Sequence, residues 1–166
     1  MKVVQMTGVG GAEVIEIAEI EPPKPGNGQV LIRVNATSVN RADISQRRGN
    51  YMQPKGDSEI LGLEVAGIVE KLGPDVENCA IGDRVMSLVG GGGYAEYALA
   101  YASHLMPVPD CLTNEEAACI AETYITAHLN IFEVAKLNDG EIVLLHGGGG
   151  GVNLSLIHIS EPTSLG

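Results

Sequence analysis

Residues 141–152 read EIVLLHGGGGGV, a short apolar run that meets an unbroken row of glycines. Ile142, Val143, Leu144 and Leu145 do not alternate with polar residues, which predicts a parallel strand covered on both faces. Such a strand needs neighbours. Glycines directly after it free the backbone for a tight turn and let a phosphate approach the N–H groups at the start of a following helix, as dinucleotide-binding folds do. A flexible glycine linker has the same composition, so the upstream residues must separate the two readings.

Just before this stretch, Asn138, Asp139 and Gly140 form a turn signal that closes a helical pattern ending near Leu137. That pattern opens with a capping box, Thr113 and Glu116, and continues through Ala121, Tyr124, Ile125, His128, Phe132 and Ala135, as one helix or two in succession. Upstream of about Pro109 the signals change to short strands and turns. Dense turn chemistry between Pro22 and Gly28 precedes Val30, Ile32, Val34 and Ala36, which alternate with polar residues as a strand with one buried face. In the run from Leu61 to Leu72, Gly62 and Gly67 predict a bend or bulge. Gly82-Asp83 turns into residues 84–89, and a second glycine run, Gly90 to Gly93, leads into Tyr94, Ala95, Glu96, Tyr97 and Ala98. Many short strands at this spacing predict a partly open barrel.

Beyond the glycines, a dinucleotide fold requires a crossover helix of a dozen or more residues and a second parallel strand. Residues 154–160 alternate weakly and stop at Glu161-Pro162, too short and too β-branched for that helix. The closing SLIHISEPTSLG resembles translated adapter sequence, so native sequence is expected to stop at about Val152 or Asn153. The expected division is therefore residues 1–110 as a β domain, 111–153 as linking helices with a first strand and glycine loop, and 154–166 as a foreign tail.

Composition narrows the function classes. The 166 residues are 45% hydrophobic, enough for one domain or one and a half. Ten Lys and Arg stand against twenty-one Asp and Glu, with nothing more basic than Arg47-Arg48, which argues against nucleic acid and anionic membrane as partners. Cys79, Cys111 and Cys119 are odd in number and in no CxxC spacing, so they predict neither a disulfide framework nor a structural zinc and fit a reducing cytoplasm. No apolar run approaches the length of a membrane helix.

Taken together, Asn40-Arg41-Ala42-Asp43 with Arg48-Gly49-Asn50-Tyr51, then LGLEVAG at 61–67, GDRV at 82–85, GYAEY at 93–97 and the final strand with its glycines resemble the medium-chain dehydrogenase/reductase superfamily. The match is closest to its zinc-independent quinone oxidoreductase branch, in the tumour-suppressor-inducible group. That resemblance implies a mainly β GroES-like barrel followed by helix and the first strand of an incomplete α/β Rossmann domain. It also implies NADPH as cofactor, a quinone or enone substrate held between the two domains, and a homodimeric full-length protein in the cytoplasm.

Zinc-dependent members of the superfamily place a Cys where this chain has Asn40, a His where it has Leu63 and a third ligand near Glu122, so the resemblance implies no catalytic metal here. The resemblance also implies that the structural-zinc lobe of those members is replaced here by the short Gly90 to Gly93 turn. By the same resemblance Asn40 and Tyr51 are the candidate catalytic residues, whose amide and hydroxyl would orient the reacting oxygen. Asn40, Tyr51, Thr126, His146, Gly148, Gly151 and Val152 are the candidate cofactor-binding residues. A Tyr in a turn also serves as a packing residue, Glu64 as a paired barrel carboxylate and Asp43 as a local turn acceptor. Asn153 stands where the glycine fingerprint has its last glycine. Two other functions fit the same residues: an enoyl-thioester reductase of the superfamily, and a noncatalytic GroES-like interaction module. With only one strand of a doubly wound sheet, the chain alone is expected to have no useful NADPH affinity.

Overall fold

The computed structural model describes residues 1–51 and 53–160. Its chain divides into two compact units, Met1–Cys119 and Ile120–Gly166.

In the first unit, β-branched residues set the strands and glycines set the corners. The strands are β1 (Lys2–Met6), β2 (Ile15–Glu19), β3 (Gln29–Thr37), β4 (Glu64–Leu72), β5 (Arg84–Leu88), β6 (Tyr97–Tyr101) and β7 (Met106–Pro107). Strands β6, β3, β4, β5 and β7 form one antiparallel sheet in that order, while β1 and β2 form a hairpin. The hairpin joins the sheet at an antiparallel bridge between Val3 and Ala95. Val4 N donates to Tyr94 O at 2.8 Å and Glu96 N to Lys2 O at 3.1 Å. The core between these layers holds Val30, Ile32, Val65, Val69, Val85, Val89, Ala98 and Ala100. Each large aliphatic side chain buried there contributes about 1.5–3 kcal/mol of transfer free energy.

The expected alternation in β3 is broken at Leu31, which is 2% exposed, because helix α2 (Asn114–Ala117) packs against β3 and β4. The expected bulge is present. Pairing between β3 and β4 shifts register between Val34 and Ala36, opposite Gly67 and Ala66. A Cβ on Gly67 would lie 2.1 Å from Arg33 O, so only glycine fits this crossing. Arg84 then ties β5 to the chain leading into α2, through Asn114 Oδ1 at 2.8 Å and the carbonyl of Leu112. This tie, with α2 packed on the sheet, lies within the first unit, which runs to Cys119.

The capping box forms as expected: Glu116 N donates to Thr113 Oγ1 at 3.2 Å and Thr113 N to Glu116 Oε2 at 2.8 Å. In the second unit α3 (Ala121–His128) continues into a π-helical segment, Leu129–Val134. It ends at a left-handed Lys136 (φ 53°), followed by the turn through Gly140.

Two expectations fail in this unit. Residues 141–145 form no strand among the described residues, and Ile142 is 99% exposed. A buried parallel strand is held by ladders on both sides, and none is supplied. Residues 154–160, expected to be too short and too β-branched for a crossover helix of a dozen or more residues, belong to the ten-residue α4 (Gly151–Ser160), which begins at the last glycine of the run. Leu156 and Val152 pack against Ala127 and Ile131, and Ser155 Oγ bonds Thr123 Oγ1 at 2.9 Å. Packing here overrides the weak helix propensity of the β-branched residues. The rest of the expected foreign tail, 161–166, lies outside the described residues.

Candidate functional site

Where β3 ends, the chain turns through Ser38 and Asn40 into α1 (Arg41–Arg47). Asn40 is extended (φ −109°, ψ 157°) and caps the helix, with its N–H donating to Asp43 Oδ2 at 2.7 Å. Asp43 is 3% exposed and does more than cap. Its Oδ1 accepts from Gly62 N at 3.1 Å and its Oδ2 from the Tyr94 hydroxyl at 2.8 Å, tying α1 to the start of β4 and to the glycine run before β6. Burial, followed by this bond and the charges of Asp43 and Glu64, pushes the Tyr94 phenol well above its ordinary 10.0.

The glycines at 90–93 make that meeting possible. A Cβ on Gly91 would lie 2.2 Å from Ser58 O and one on Gly93 would lie 2.9 Å from Gly62 C. Gly92 N donates to Ile60 O at 2.7 Å and Tyr94 N to Leu61 O at 2.9 Å, so the run lies flat against residues 60–62.

At the first residue of β4, Glu64 is fully buried. Its Oε1 accepts from Asn40 Nδ2 at 2.8 Å and from the Ser38 hydroxyl, and Asn40 Nδ2 also donates to Ser38 Oγ at 3.0 Å. Thr37 Oγ1 donates to the Glu64 carbonyl at 2.7 Å and fixes the strand beneath. Burial, and then the charge of Glu64, raises the Cys119 thiol. Leu63, beside Glu64, is 4% exposed. Among the described residues, no group of three or more His, Cys, Asp or Glu is placed to hold a metal.

Of the expected catalytic pair, Asn40 sits in this network and Tyr51 lies past the end of α1, 37% exposed. Asn40 Nδ2 faces Glu64 Oε1 and Ser38 Oγ. Ser38 and Tyr94 were missed by sequence reasoning, since their partners lie 26 and 51 residues away and no local pattern marks them.

The remaining expected residues lie in the second unit. Thr126 is half-buried on α3, its carbonyl accepting from Asn130 Nδ2 at 2.7 Å. His146 is exposed at a bend instead of ending a strand. From there Gly147 (φ 82°) turns the chain, Gly150 N donates to Gly147 O at 2.9 Å, and Leu154 N donates to Gly150 O at 3.0 Å as α4 begins. A Cβ on Gly148 or Gly149 would meet nothing within 4 Å, leaving open space beside the backbone at a helix start. Gly151 permits close packing, since a Cβ there would lie 3.0 Å from Thr123 Cγ2. Val152 packs on the Ala127 and Ile131 cluster. Asn153 supplies a bond that glycine would lack: its Nδ2 donates to His146 O at 2.6 Å and straps the loop. A glycine turn feeding a helix N-terminus has the donors and the room a diphosphate requires.

Comparison with known proteins places this geometry. The alcohol dehydrogenase GroES-like domain model matches residues 26–110. The chain is 35% identical over 159 residues to the synaptic vesicle membrane protein VAT-1 homolog-like of Mus musculus, covering 96% of this chain and 38% of that protein. It is 37% identical over 167 residues to the quinone oxidoreductase of Sus scrofa, covering 99% of this chain and 51% of that protein. Among solved structures, human VAT-1 homolog-like protein superposes with a TM-score of 0.89 at 34% identity, over 96% of this chain and 52% of that one. A mycobacterial protein complexed with NADPH superposes at 0.85 with 38% identity, over 94% of this chain and 48% of that one. The chain thus spans about half the length of its quinone oxidoreductase relatives and 38% of the VAT-1 homolog-like protein of Mus musculus. From its mainly β fold and this match, the chain belongs to the alcohol dehydrogenase GroES-like domain family of the medium-chain dehydrogenase/reductase superfamily.

Proposed function

We propose that the complete protein is an oxidoreductase that reduces a quinone, or the β-carbon of an α,β-unsaturated carbonyl, by hydride transfer without a catalytic zinc. The observation that carries this reading is the network at Asn40. Where the zinc-binding pattern has cysteine and histidine, this chain has an asparagine bound to Glu64 and a buried leucine, neither of which is a zinc ligand. Relatives named quinone oxidoreductase and a similar structure holding NADPH support the same reading.

NADPH, when bound, supplies the hydride. The turn at Gly148, the start of α4 at Gly151 and Val152, and the neighbouring His146 would hold its diphosphate, and Thr126 would be a further contact. Tyr51 donates its hydroxyl hydrogen bond to the acceptor's oxygen and stabilises the charge that develops there. Asn40 would help Tyr51 to orient that oxygen. We further propose a cytoplasmic homodimer for the complete protein; the free thiols at Cys79, Cys111 and Cys119 suit a reducing compartment. The 166-residue chain alone binds NADPH too weakly to turn over.

Steady-state oxidation of NADPH by the complete protein tests this, with naphthoquinone, an enone and a crotonyl thioester as acceptors. Turnover of the first two, unchanged by a metal chelator, is expected, and Tyr51→Phe should lower it at unchanged NADPH affinity. Loss of activity on chelation, or turnover of the thioester alone, refutes the assignment.

A further inference from the structure

Asn27-Gly28 is the only asparagine-glycine pair in the chain, and it lies in the turn chemistry that precedes β3. Gln29 N donates to Gly26 O at 3.1 Å and Gly28 has φ 69°, so Asn27 and Gly28 are the central residues of a turn of type II form. Asn27 is exposed. Its neighbour has no Cβ to screen the backbone nitrogen from the side-chain amide, which makes the pair chemically labile. A second turn clasps the first. Gly28 N donates to Pro74 O at 2.8 Å, Gly73 N to Gln29 O at 2.8 Å and Asn27 Nδ2 to Asp75 Oδ2 at 3.0 Å, with Asp75 left-handed at φ 62°. The two turns touch so closely that a Cβ on Gly73 would lie 2.0 Å from Gly26 O. Both reacting groups of the pair, the Gly28 nitrogen and the Asn27 amide, are therefore held by residues 74 and 75.

We infer that Asn27 is a site of spontaneous deamidation, that the clasp with residues 73–75 protects it, and that the products of the reaction weaken that clasp. With the clasp open, Gly28 N gives up its proton and attacks Asn27 Cγ. A bond forms between them, the Cγ–Nδ2 bond breaks, and the amide nitrogen leaves with that proton as ammonia. Water then opens the five-membered imide. Attack at Cγ gives aspartate, and attack at the main-chain carbonyl of residue 27 gives isoaspartate. No electrons are transferred, and water is the one co-reactant. In the aspartate product a carboxylate stands where Asn27 Nδ2 met Asp75 Oδ2 at 3.0 Å, so a donor–acceptor contact becomes a repulsion between like charges. In isoaspartate the main chain is longer by a methylene, which takes Gly28 N out of step with Pro74 O.

Peptide mapping by mass spectrometry of the full chain, held in neutral buffer with and without urea, reads the reaction at each asparagine. In urea Asn27 is expected to convert faster than any other asparagine, and in the folded chain roughly tenfold or more slowly than in urea. That comparison needs no variant. Asp75→Gly removes the acceptor of Asn27 Nδ2 at a backbone conformation that suits glycine, and should speed conversion in the folded chain roughly two- to tenfold. For the product, Asn27→Asp should raise the unfolding equilibrium constant roughly two- to fivefold over Asn27→Ala, a difference that added salt removes. An Asn27 that stays intact in urea overturns the site. Equal rates in the folded and unfolded chain overturn the protection, and an unchanged rate in folded Asp75→Gly overturns the part given to Asp75. Equal stability of Asn27→Asp and Asn27→Ala at low salt overturns the weakening by aspartate.

Discussion

Asp43→Ala is the substitution that most directly tests how the first unit is held together. The carboxylate is 3% exposed and accepts from Asn40 N at 2.7 Å, Tyr94 Oη at 2.8 Å and Gly62 N at 3.1 Å. Hydrogen bonds to a charged group are worth about 1.5–3 kcal/mol each, and alanine leaves all three donors without their acceptor. Bonds that share one carboxylate do not add independently, and water reaches part of the opened space, so about 3–5 kcal/mol is expected. That is a large share of the 5–15 kcal/mol typical of a whole domain, as an order of magnitude. Urea titration followed by circular dichroism measures it. At an m-value of about 1.5 kcal/mol/M the midpoint falls by roughly 2–3 M. Asp43→Asn is the graded companion, because an amide oxygen on the Oδ2 side keeps the Asn40 and Tyr94 bonds and sets its NH2 against Gly62 N–H. A loss of about 1–2 kcal/mol is expected there. Should alanine cost under about 1 kcal/mol, or asparagine cost as much as alanine, the network is not what joins α1 to the strands.

Gly67→Ala should destabilise the same unit by about 3 kcal/mol, since its Cβ would sit 2.1 Å from Arg33 O, while Gly148→Ala, in open space, should change urea stability by less than about 0.5 kcal/mol. The Tyr94 phenol is raised by folding, so the unfolded chain releases its proton first as pH climbs past 10.0. Stability from this group is present below that value and lost above it, and Tyr94→Phe should flatten the alkaline limb of a Tm-against-pH curve. Thr113→Ala removes the acceptor of Glu116 N and should cost about 1 kcal/mol, read by thermal unfolding of the same unit.

Local chemistry was legible in the sequence and distant chemistry was not. Alternation at Val30 and Ile32, a glycine inside a strand at Gly67 and the Thr113–Glu116 spacing are short-range signals, and each became the element it predicted. The ring of Ser38, Asn40 and Glu64 joins a turn to a strand 24 to 26 residues on, and the Asp43–Tyr94 bond spans 51 residues. No periodicity encodes such pairs. Residues 142–145 carry the composition of a buried strand, but burial is a property of neighbours, and no ladder stands beside them among the described residues. Helix α4 was misjudged because its length was counted from Leu154 when it starts at Gly151, the last of the glycines.

The stitch between β1 and residues 94–96 bears on how the protein is made. At synthesis rates of 5–20 residues per second, roughly 5–20 s separate the emergence of the first strand from that of its neighbour. Throughout that interval β1 lacks the partner it later gains at the Val3–Ala95 bridge. An open edge recruits other extended chains. A chain paused before residue 96 would therefore present β1 with one unpaired edge, and a chaperone that shields its first twenty residues would cover that edge until residues 94–96 arrive.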